Sequence, residues 1–354
     1  MPEFILLVLL FIISYLGYWL FELIRFPASR IVGPIIVVAL IQMFGITFSS
    51  PVFLKMLFSS IFGVYLGLRF DQTALKQLKV SIIPAAFLSI IYIGITILYG
   101  KILMQVSSMD HNTAFLSVIP GGVAEAGVLA VSFGANLSQV SSFQLVRYLS
   151  IVMIMPLISK YIISPIVKRS GESNKPVETS LPQLDESSLN SIHYSALWLF
   201  VVGAIGSFLF YKIHFPAALL LGATFFVALT QLISPRPFKR PPEFLYSYAQ
   251  IGMGAIIGTS FTRENFSAVA GLVVPMLLLT FMIVTTSVIL GFIFSKIFKM
   301  DYMTGLMSVL PGGLSTMVIL AEAFDVDIVT ISTLQLARLL TAVAVIPILY
   351  QWIL

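Results

Sequence analysis

Long runs of apolar residues, almost free of charge, recur along the whole 354-residue chain and limit its fold more than any other feature. Each run is long enough to cross about 30 Å of hydrocarbon as an α-helix, which takes roughly 20 residues. Barrel strands would instead alternate apolar and polar residues over about ten positions. The sequence therefore predicts an all-α membrane protein. The predicted spans are 4–21, 26–46, 52–69, 80–104, 138–164, 194–211, 215–234, 244–261, 267–295 and 328–353.

The composition disfavours several other classes of protein. Charged residues make up 10% of the chain and hydrophobic residues 58%, whereas soluble domains have about 25% charged residues. We therefore expect neither a soluble enzyme nor direct binding of nucleic acid. The absence of cysteine excludes disulfides and thiolate metal sites. His111, His193 and His214 fall in separate predicted loops, so we predict no metal site, no cofactor and no catalytic residue.

Two further apolar stretches, 113–134 and 304–324, are each interrupted in the middle by the sequence Pro-Gly-Gly. Proline removes a backbone donor within a helix, and glycines favour a sharp turn. We predict two re-entrant helical hairpins whose tips meet near the membrane midplane, with a broken spanning helix as the open alternative. The interrupting residues are Pro120, Gly121 and Gly122 in the first stretch and Pro311, Gly312 and Gly313 in the second.

The two halves of the chain resemble each other at a nearly constant offset. When residue i is aligned with residue i+191, residues 117–156 and 308–347 share 15 identities in 40 positions without a gap. Chance similarity of apolar segments would hardly match proline, glycine, glutamine and arginine in this way. The sequence therefore predicts a duplication, with a first membrane repeat at 1–165 and a second at 194–354.

Each repeat has five predicted spans and one hairpin, and an odd number of crossings requires the second copy to enter the membrane upside down. The positive charges provide an independent test. With the N-terminus outside, fourteen of the twenty Lys and Arg residues fall in inside loops and four in outside loops, as the positive-inside rule expects. We predict two inverted repeats in the cell membrane with both termini outside. The polar segment 166–193 is then a cytoplasmic linker, either a solvated tether or a regulatory segment.

Arg147 and Arg338 lie within predicted spans, where an arginine costs at least about 2.5–3.5 kcal/mol on insertion scales. Each follows a serine and a glutamine at intervals of three, so Ser141, Gln144 and Arg147 share one side of a helix. Two compatible interpretations stay open. The guanidinium groups neutralise an anion or a buried carboxylate, or they bind free carbonyls of the broken hairpins. The equivalent residues of the second repeat are Ser332, Gln335 and Arg338.

The acidic groups near the two breaks are not duplicated. Glu125 lies just after the first break, and its equivalent is Thr316, beside Ser315. Glu322 lies deeper in the second hairpin, where the first repeat has Val131. This asymmetry suits a site at which one half binds a cation or a proton and the other binds the substrate. Alternatively, Glu125 only pairs with one of the arginines.

The repeated signature Ser-Val-Leu/Ile-Pro-Gly-Gly, followed by Gln-Leu-x-Arg and a later proline, resembles the AbrB-type integral membrane protein family over the whole chain. It occurs as 308–313, 335–338 and Pro347, and again in the first repeat. That family carries two labels, a regulator of the aidB gene and an ammonia monooxygenase. The hairpin-bearing repeat is also similar to the cation/proton antiporter and anion transporter superfamily. This second resemblance implies that the hairpin glycines contact a substrate.

Inverted repeats with broken helices are typical of secondary transporters. The leading hypothesis is alternating-access transport of a small anionic or amphiphilic solute, with sodium or a proton open as coupling ion and a homodimer open as assembly. The alternative is a membrane sensor that affects gene expression through a cytoplasmic partner. A monooxygenase is disfavoured because clustered histidines are missing. The predicted substrate-binding residues are Pro120, Gly121, Gly122, Glu125, Gln144, Arg147, Pro311, Gly312, Gly313, Ser315, Thr316, Gln335 and Arg338.

Overall fold

A computed structural model describes residues 3–26, 28–70, 72–158, 192–215, 217–234, 238, 241–312 and 326–345. Regular secondary structure in these residues is helical, and no strand occurs among them. Five of the described helices are long and apolar enough to cross a membrane. The protein is thus an all-α membrane protein, as the apolar runs predict. Almost all of the predicted linker, 166–193, lies outside the described residues.

The described helices follow the predicted spans and the arms of the interrupted stretches. The first half contains α1 (Glu3–Leu23), α2 (Ser29–Met43), α3 (Val52–Gly67), α4 (Gln72–Val80), α5 (Ile82–Val106), α6 (His111–Val118), α7 (Val123–Ser132) and α8 (Leu137–Ile158). The second half contains α9 (Ile192–Lys212), α10 (Ala218–Ile233), α11 (Glu243–Thr259), α12 (Arg263–Gly271), α13 (Val273–Phe298), α14 (Tyr302–Val309) and α15 (Ile328–Leu340). A π-helical turn, Thr341–Val345, continues α15.

Two short helices, α4 and α12, correct the sequence prediction. The span predicted at 267–295 was placed too early, because residues 267–271 belong to α12 and the long helix α13 begins only at Val273. The apolar end of α12 merges with the apolar start of α13 in the sequence, so hydropathy cannot separate them. Pro275 lies in the first turn of α13, where a missing backbone donor costs nothing.

Helix order and helix boundaries recur between the two halves. The first turns also recur, because Asp110 and Asp301 cap α6 and α14 by accepting hydrogen bonds from the backbone N–H groups of Thr113 and Thr304, at 3.1 and 2.8 Å. Equivalent local sequence therefore produces equivalent helix starts. Helices α3 to α6 begin at Val52, Gln72, Ile82 and His111, and α11 to α14 begin 191 residues later, at Glu243, Arg263, Val273 and Tyr302.

Helices α3 and α11, which occupy equivalent places in the two halves, pack against each other in opposite directions. The ring of Phe58 lies against Gly252. Further along α3, the Tyr65 ring lies 4.9 Å from that of Tyr246, and its hydroxyl donates to the carbonyl of Pro242 at 2.8 Å. Residue numbers rise along α3 while those of its partners fall along α11. The two helices are therefore antiparallel.

Glycines bring the backbones of the two halves into close contact in a reciprocal way. A Cβ on Gly254 of α11 would lie 2.7 Å from the carbonyl oxygen of Ile31 in α2. A Cβ on Gly63 of α3 would lie 2.5 Å from that of Leu220 in α10. Gly63 and Gly254 are equivalent positions, and so are Ile31 and Leu220. Each half thus packs its third helix against the second helix of the other half, an approach that small residues allow.

Candidate functional site

The first interrupted stretch forms two helical arms, as predicted, with a break at residues 119–122. Helix α6 ends at Val118, and helix α7 begins at Val123 after the N-cap Gly122. Pro120 lies in the break, where it can supply no N–H group to continue the helix. The last carbonyl groups of α6 are therefore left without partners from their own helix.

Side chains of α8 bind those carbonyl groups. The Gln144 amide nitrogen donates to the carbonyls of Leu116, Ser117 and Ile119, each at 3.2 Å. The Arg147 guanidinium donates to the carbonyl of Ile119 at 3.0 Å and to that of Gly121 at 2.8 Å, and it also binds the Gln144 side-chain oxygen. One glutamine and one arginine thereby fix the end of α6 and the start of the break.

The second half repeats this arrangement between α15 and α14. The Gln335 amide nitrogen donates to the carbonyls of Met307 and Leu310, at 2.5 and 3.1 Å. The Arg338 guanidinium donates to the carbonyl of Leu310 at 2.5 Å and lies over the ring of Tyr92, 5.7 Å from its centroid. Both breaks are thus held by the same pair of side-chain types.

The two arginines are deeply buried, at 3% exposure each. The sequence left two interpretations of the arginines open, binding of an anion or carboxylate and binding of free carbonyls. The structure shows both arginines bound to backbone carbonyls, and the described residues give neither arginine an ion pair with a carboxylate. Helix C-termini carry a negative partial charge of about half a unit, which offsets part of each positive charge. The two guanidinium groups also lie close enough to repel each other.

A cavity of about 10 Å³, room for roughly one water-sized molecule, lies between the two breaks. Its walls come from both halves, and the described walls contain no acidic side chain. Several lining residues are equivalent pairs at an offset of 191, so the cavity lies where the two halves meet. These pairs are Tyr92 with Ile283, Thr96 with Ser287, and Pro120 with Pro311.

The structure brings most described members of the predicted site to this cavity or to the helix ends beside it. Pro120, Pro311 and Arg147 line the cavity. Gln144, Gln335 and Arg338 hold the adjoining helix ends. Gly121 and Gly122 are partly exposed, and Gly312 is buried. Gly313, Ser315 and Thr316, like Glu322, lie outside the described residues.

Glu125 lies apart from the arginines. It is in the first turn of α7, half-buried, with its carboxylate folded back toward Gly122. Its carboxylate interacts electrostatically with Tyr246 of α11, which also interacts with the side chain of Arg69. The described residues give Glu125 no ion pair with Arg147 or Arg338. The carboxylate therefore faces the contact between α7 and α11 rather than the cavity.

Sequence reasoning missed the contribution of α5 and α13, which it treated as plain spans. Tyr92 donates its hydroxyl to the carbonyl of Val309 at the second break, and Thr96, Thr286 and Ser287 line the cavity. The available signal was that Thr96 and Ser287 place hydroxyl groups at equivalent positions of two predominantly apolar helices.

A larger, open cleft of about 390 Å³ lies between the end of the α7 arm and the ends of α3 and α11. Ala130 and Gly134 line it from the α7 side, and Lys55, Thr259 and Ser260 line it from the other side. Within the described residues, no group of three or more His, Asp or Glu side chains is arranged to hold a metal ion. The cleft is thus a gap, with polar side chains at its edge, between α7 and its neighbouring helices.

Comparison with known proteins gives one family and two curated relatives. The AbrB family model, described as transition state regulatory protein AbrB, matches residues 1–163 and 161–354. The chain is 22% identical over 333 residues to "Putative regulator AbrB" of Escherichia coli (strain K12), covering 94% of this chain and 92% of that protein. It is 23% identical over 297 residues to "Uncharacterized protein YhjN" of Bacillus subtilis (strain 168), covering 82% and 76%. Neither name describes an enzyme. No solved structure matches the chain significantly.

Proposed function

We propose that this chain, which belongs to the AbrB family, is a secondary transporter that carries a small anionic or amphiphilic solute by alternating access. One observation carries the proposal: two breaks, one from each half and each held by a buried arginine, meet at a single cavity. Secondary transporters bind their solutes at broken helices where two repeats meet. The solute would therefore bind between Pro120 and Pro311.

The proposed architecture is two inverted repeats, each with five spanning helices and a re-entrant hairpin. It is supported by the opposite directions of α3 and α11, by helix boundaries that recur after 191 residues, and by reciprocal glycine packing. The two separate matches of the family model, 1–163 and 161–354, agree with a duplicated chain. Two copies of opposite topology can adopt near mirror-image conformations, one open to each side of the membrane.

The charge of the site favours an anion. Each break is held by one buried guanidinium group, and backbone carbonyls offset its positive charge only in part. An anionic solute would complete the neutralisation, and releasing it would restore the repulsion between the two groups. The polar-edged cleft beside α7, with the amine of Lys55 at its rim, would give such a solute a route toward the first break.

The coupling ion would act through Glu125. This carboxylate is half-buried at the first break, and the described residues give it no ion pair. A carboxylate so placed can take up a proton or bind sodium on one side of the membrane and release it on the other. Its position beside α11, on the other half of the molecule, would link ion binding to movement between the halves.

A membrane sensor is the second candidate, favoured by the regulator names of the family and of the Escherichia coli relative. A sensor would bind the same solute at the same cavity but pass the signal to a cytoplasmic partner through 166–193. The described part of the chain is a bundle of membrane helices, so any effect on gene expression would be indirect.

Solute binding and flux separate the two candidates. Purified protein is screened by thermal unfolding against small anions and metabolites, because a bound solute raises the melting temperature with concentration. Each stabilising solute is then offered in labelled form to proteoliposomes. A transporter accumulates or exchanges the solute. A sensor is stabilised by the solute but leaves the label outside, and that result would overturn the transport proposal.

A further inference from the structure

Two residues that line the cavity between the two breaks, Thr96 and Arg147, each carry a buried polar atom that the hairpin ties leave unused. The hydroxyl of Thr96 and the Nε of Arg147 are both buried, and neither finds a hydrogen-bond partner among the described residues. Thr96 is 1% exposed and Arg147 is 3% exposed. The remaining guanidinium nitrogens of Arg147 are bound to the first break. Buried polar atoms are almost always paired, so this pair of atoms indicates a ligand.

The Thr96 hydroxyl differs from those of several other buried helical residues, and unlike that of Ser141, which is also unpaired among the described residues, it belongs to a residue that lines the cavity. Several buried serine and threonine side chains bond the carbonyl four residues earlier, as Thr224 does to Leu220 and Ser117 does to Thr113, each at 2.7 Å. A hydroxyl in an apolar helix usually donates a hydrogen bond to a carbonyl of its own helix. The Thr96 hydroxyl makes no such bond within the described structure, and Thr96 lines the cavity.

The chemistry of the ligand follows from the groups that face it. The Nε–H of arginine can only donate, and the threonine hydroxyl can donate as well. A ligand between them must therefore accept. The site carries the positive charge of Arg147 with Arg338 nearby, and no acidic side chain lines the described walls. A volume of about 10 Å³ admits one acceptor atom and no more without movement of the two prolines.

We propose that this cavity binds one negatively charged acceptor atom, a chloride ion or one oxygen of a small carboxylate, between the Thr96 hydroxyl and the Arg147 Nε. The inference rests on the proposed function in one respect, since the anion would be the solute or an ion carried with it. Binding itself can be measured without transport.

The test uses purified full-length protein in sodium gluconate, whose anion is too large for the cavity. Gluconate is replaced stepwise by chloride in one arm and by formate in the other at constant ionic strength, and the melting temperature is followed. We expect chloride, formate or both to raise the melting temperature of the wild type in a saturable way. In Thr96→Val the apparent Kd should weaken by about tenfold or more, because a hydrogen bond to a charged ligand is lost.

Matched variants keep the result interpretable. Thr96→Ser retains the hydroxyl and should respond like the wild type. Thr224→Val removes a buried hydroxyl that bonds the carbonyls of Leu220 and Gly63, and it should keep the full anion response whatever its basal melting temperature. Saturation by chloride alone, formate alone or both identifies the source of the acceptor atom.

Two outcomes would overturn the site: no saturable response in the wild type, or an equal response in Thr96→Val. Flux separates this failure from that of transport. A Thr96-dependent anion response without flux would support the anion site and rule out transport as the function. Flux without a Thr96-dependent anion response would support the transporter and rule out this site.

Discussion

At the scale of single residues, the central finding is that each intramembrane arginine serves a helix end. A planar guanidinium has five donors, so Arg147 can bind carbonyls on both sides of Pro120 at once, which a lysine amine cannot do in that geometry. The sequence predicted that these arginines face the hairpins. It could not choose between a carboxylate and a carbonyl partner, because that depends on how far apart α6 and α8 lie.

Arg147→Ala should destabilise the protein by at least about 1–3 kcal/mol, the cost of leaving one buried acceptor unpaired. Lys212→Ala is the control, since Lys212 is exposed and its amine lies 5.5 Å from the centroid of the Phe208 ring. The free energies of unfolding of both variants are compared with that of the wild type. Equal stability of the two variants would show that the arginine does not hold the break.

Glu125→Gln keeps the shape of the side chain and removes its charge. We expect exchange of labelled solute across the membrane to persist and ion-driven accumulation to disappear, because exchange needs no net ion movement. Glu264→Gln, at an exposed position of α12, is the control and should accumulate solute like the wild type. Accumulation that survives in Glu125→Gln would remove Glu125 as the coupling group. Both assays use the same proteoliposomes.

At the scale of helices, some elements could be predicted and others could not, for physical reasons. The breaks at Pro120 and Pro311 were predictable because proline acts locally, whatever packs around it. The short helix α12 was missed because its apolar end runs directly into α13, whereas α4 carries Lys76 and Lys79 and was taken as part of a loop. Thr96 was missed because a hydroxyl in a helix usually bonds its own backbone, and only the packed structure shows that this one does not.

Glycine contacts between helices of the two halves give an element-scale prediction. A Cβ on Gly254 would meet the Ile31 carbonyl at 2.7 Å, so Gly254→Ala should separate α2 from α11 and cost about 1–3 kcal/mol. A Cβ on Gly94 meets nothing within 4 Å. Gly94→Ala should therefore be neutral or stabilise α5 by up to about 1 kcal/mol. Thermal unfolding of the two variants compares them, and equal melting temperatures would contradict the close packing.

At the scale of the whole molecule, the account depends on two halves that face opposite sides of the membrane. A duplication can be predicted from sequence because matching polar residues stand out in apolar helices. The reciprocal packing of α2 with α11 and of α3 with α10 could not be predicted from sequence. Many glycines and apolar residues lie in the chain, and the sequence does not show which of them face another helix. The proposed orientation still follows from the charges of the loops.

Cysteine labelling tests that orientation, since the chain has no cysteine of its own. Ser180→Cys lies in the linker proposed as cytoplasmic, and Ser49→Cys lies in an exposed loop proposed as external. An impermeant maleimide should label Ser49→Cys in intact cells, and Ser180→Cys only after the membrane is opened. The reverse pattern would mean that the protein has the opposite orientation in the membrane. Labelling of both in intact cells would exclude an odd number of crossings between them.

The central claim is that two arginine-held breaks form one solute site open in turn to each side, and solute exchange by proteoliposomes tests it most directly. Wild-type protein loaded with a stabilising small anion should exchange it for labelled anion outside in a saturable way. Arg147→Lys and Arg338→Lys should slow exchange far more than Lys212→Ala, because lysine cannot hold the breaks. Folded wild-type protein that binds the anion yet exchanges none would contradict the account.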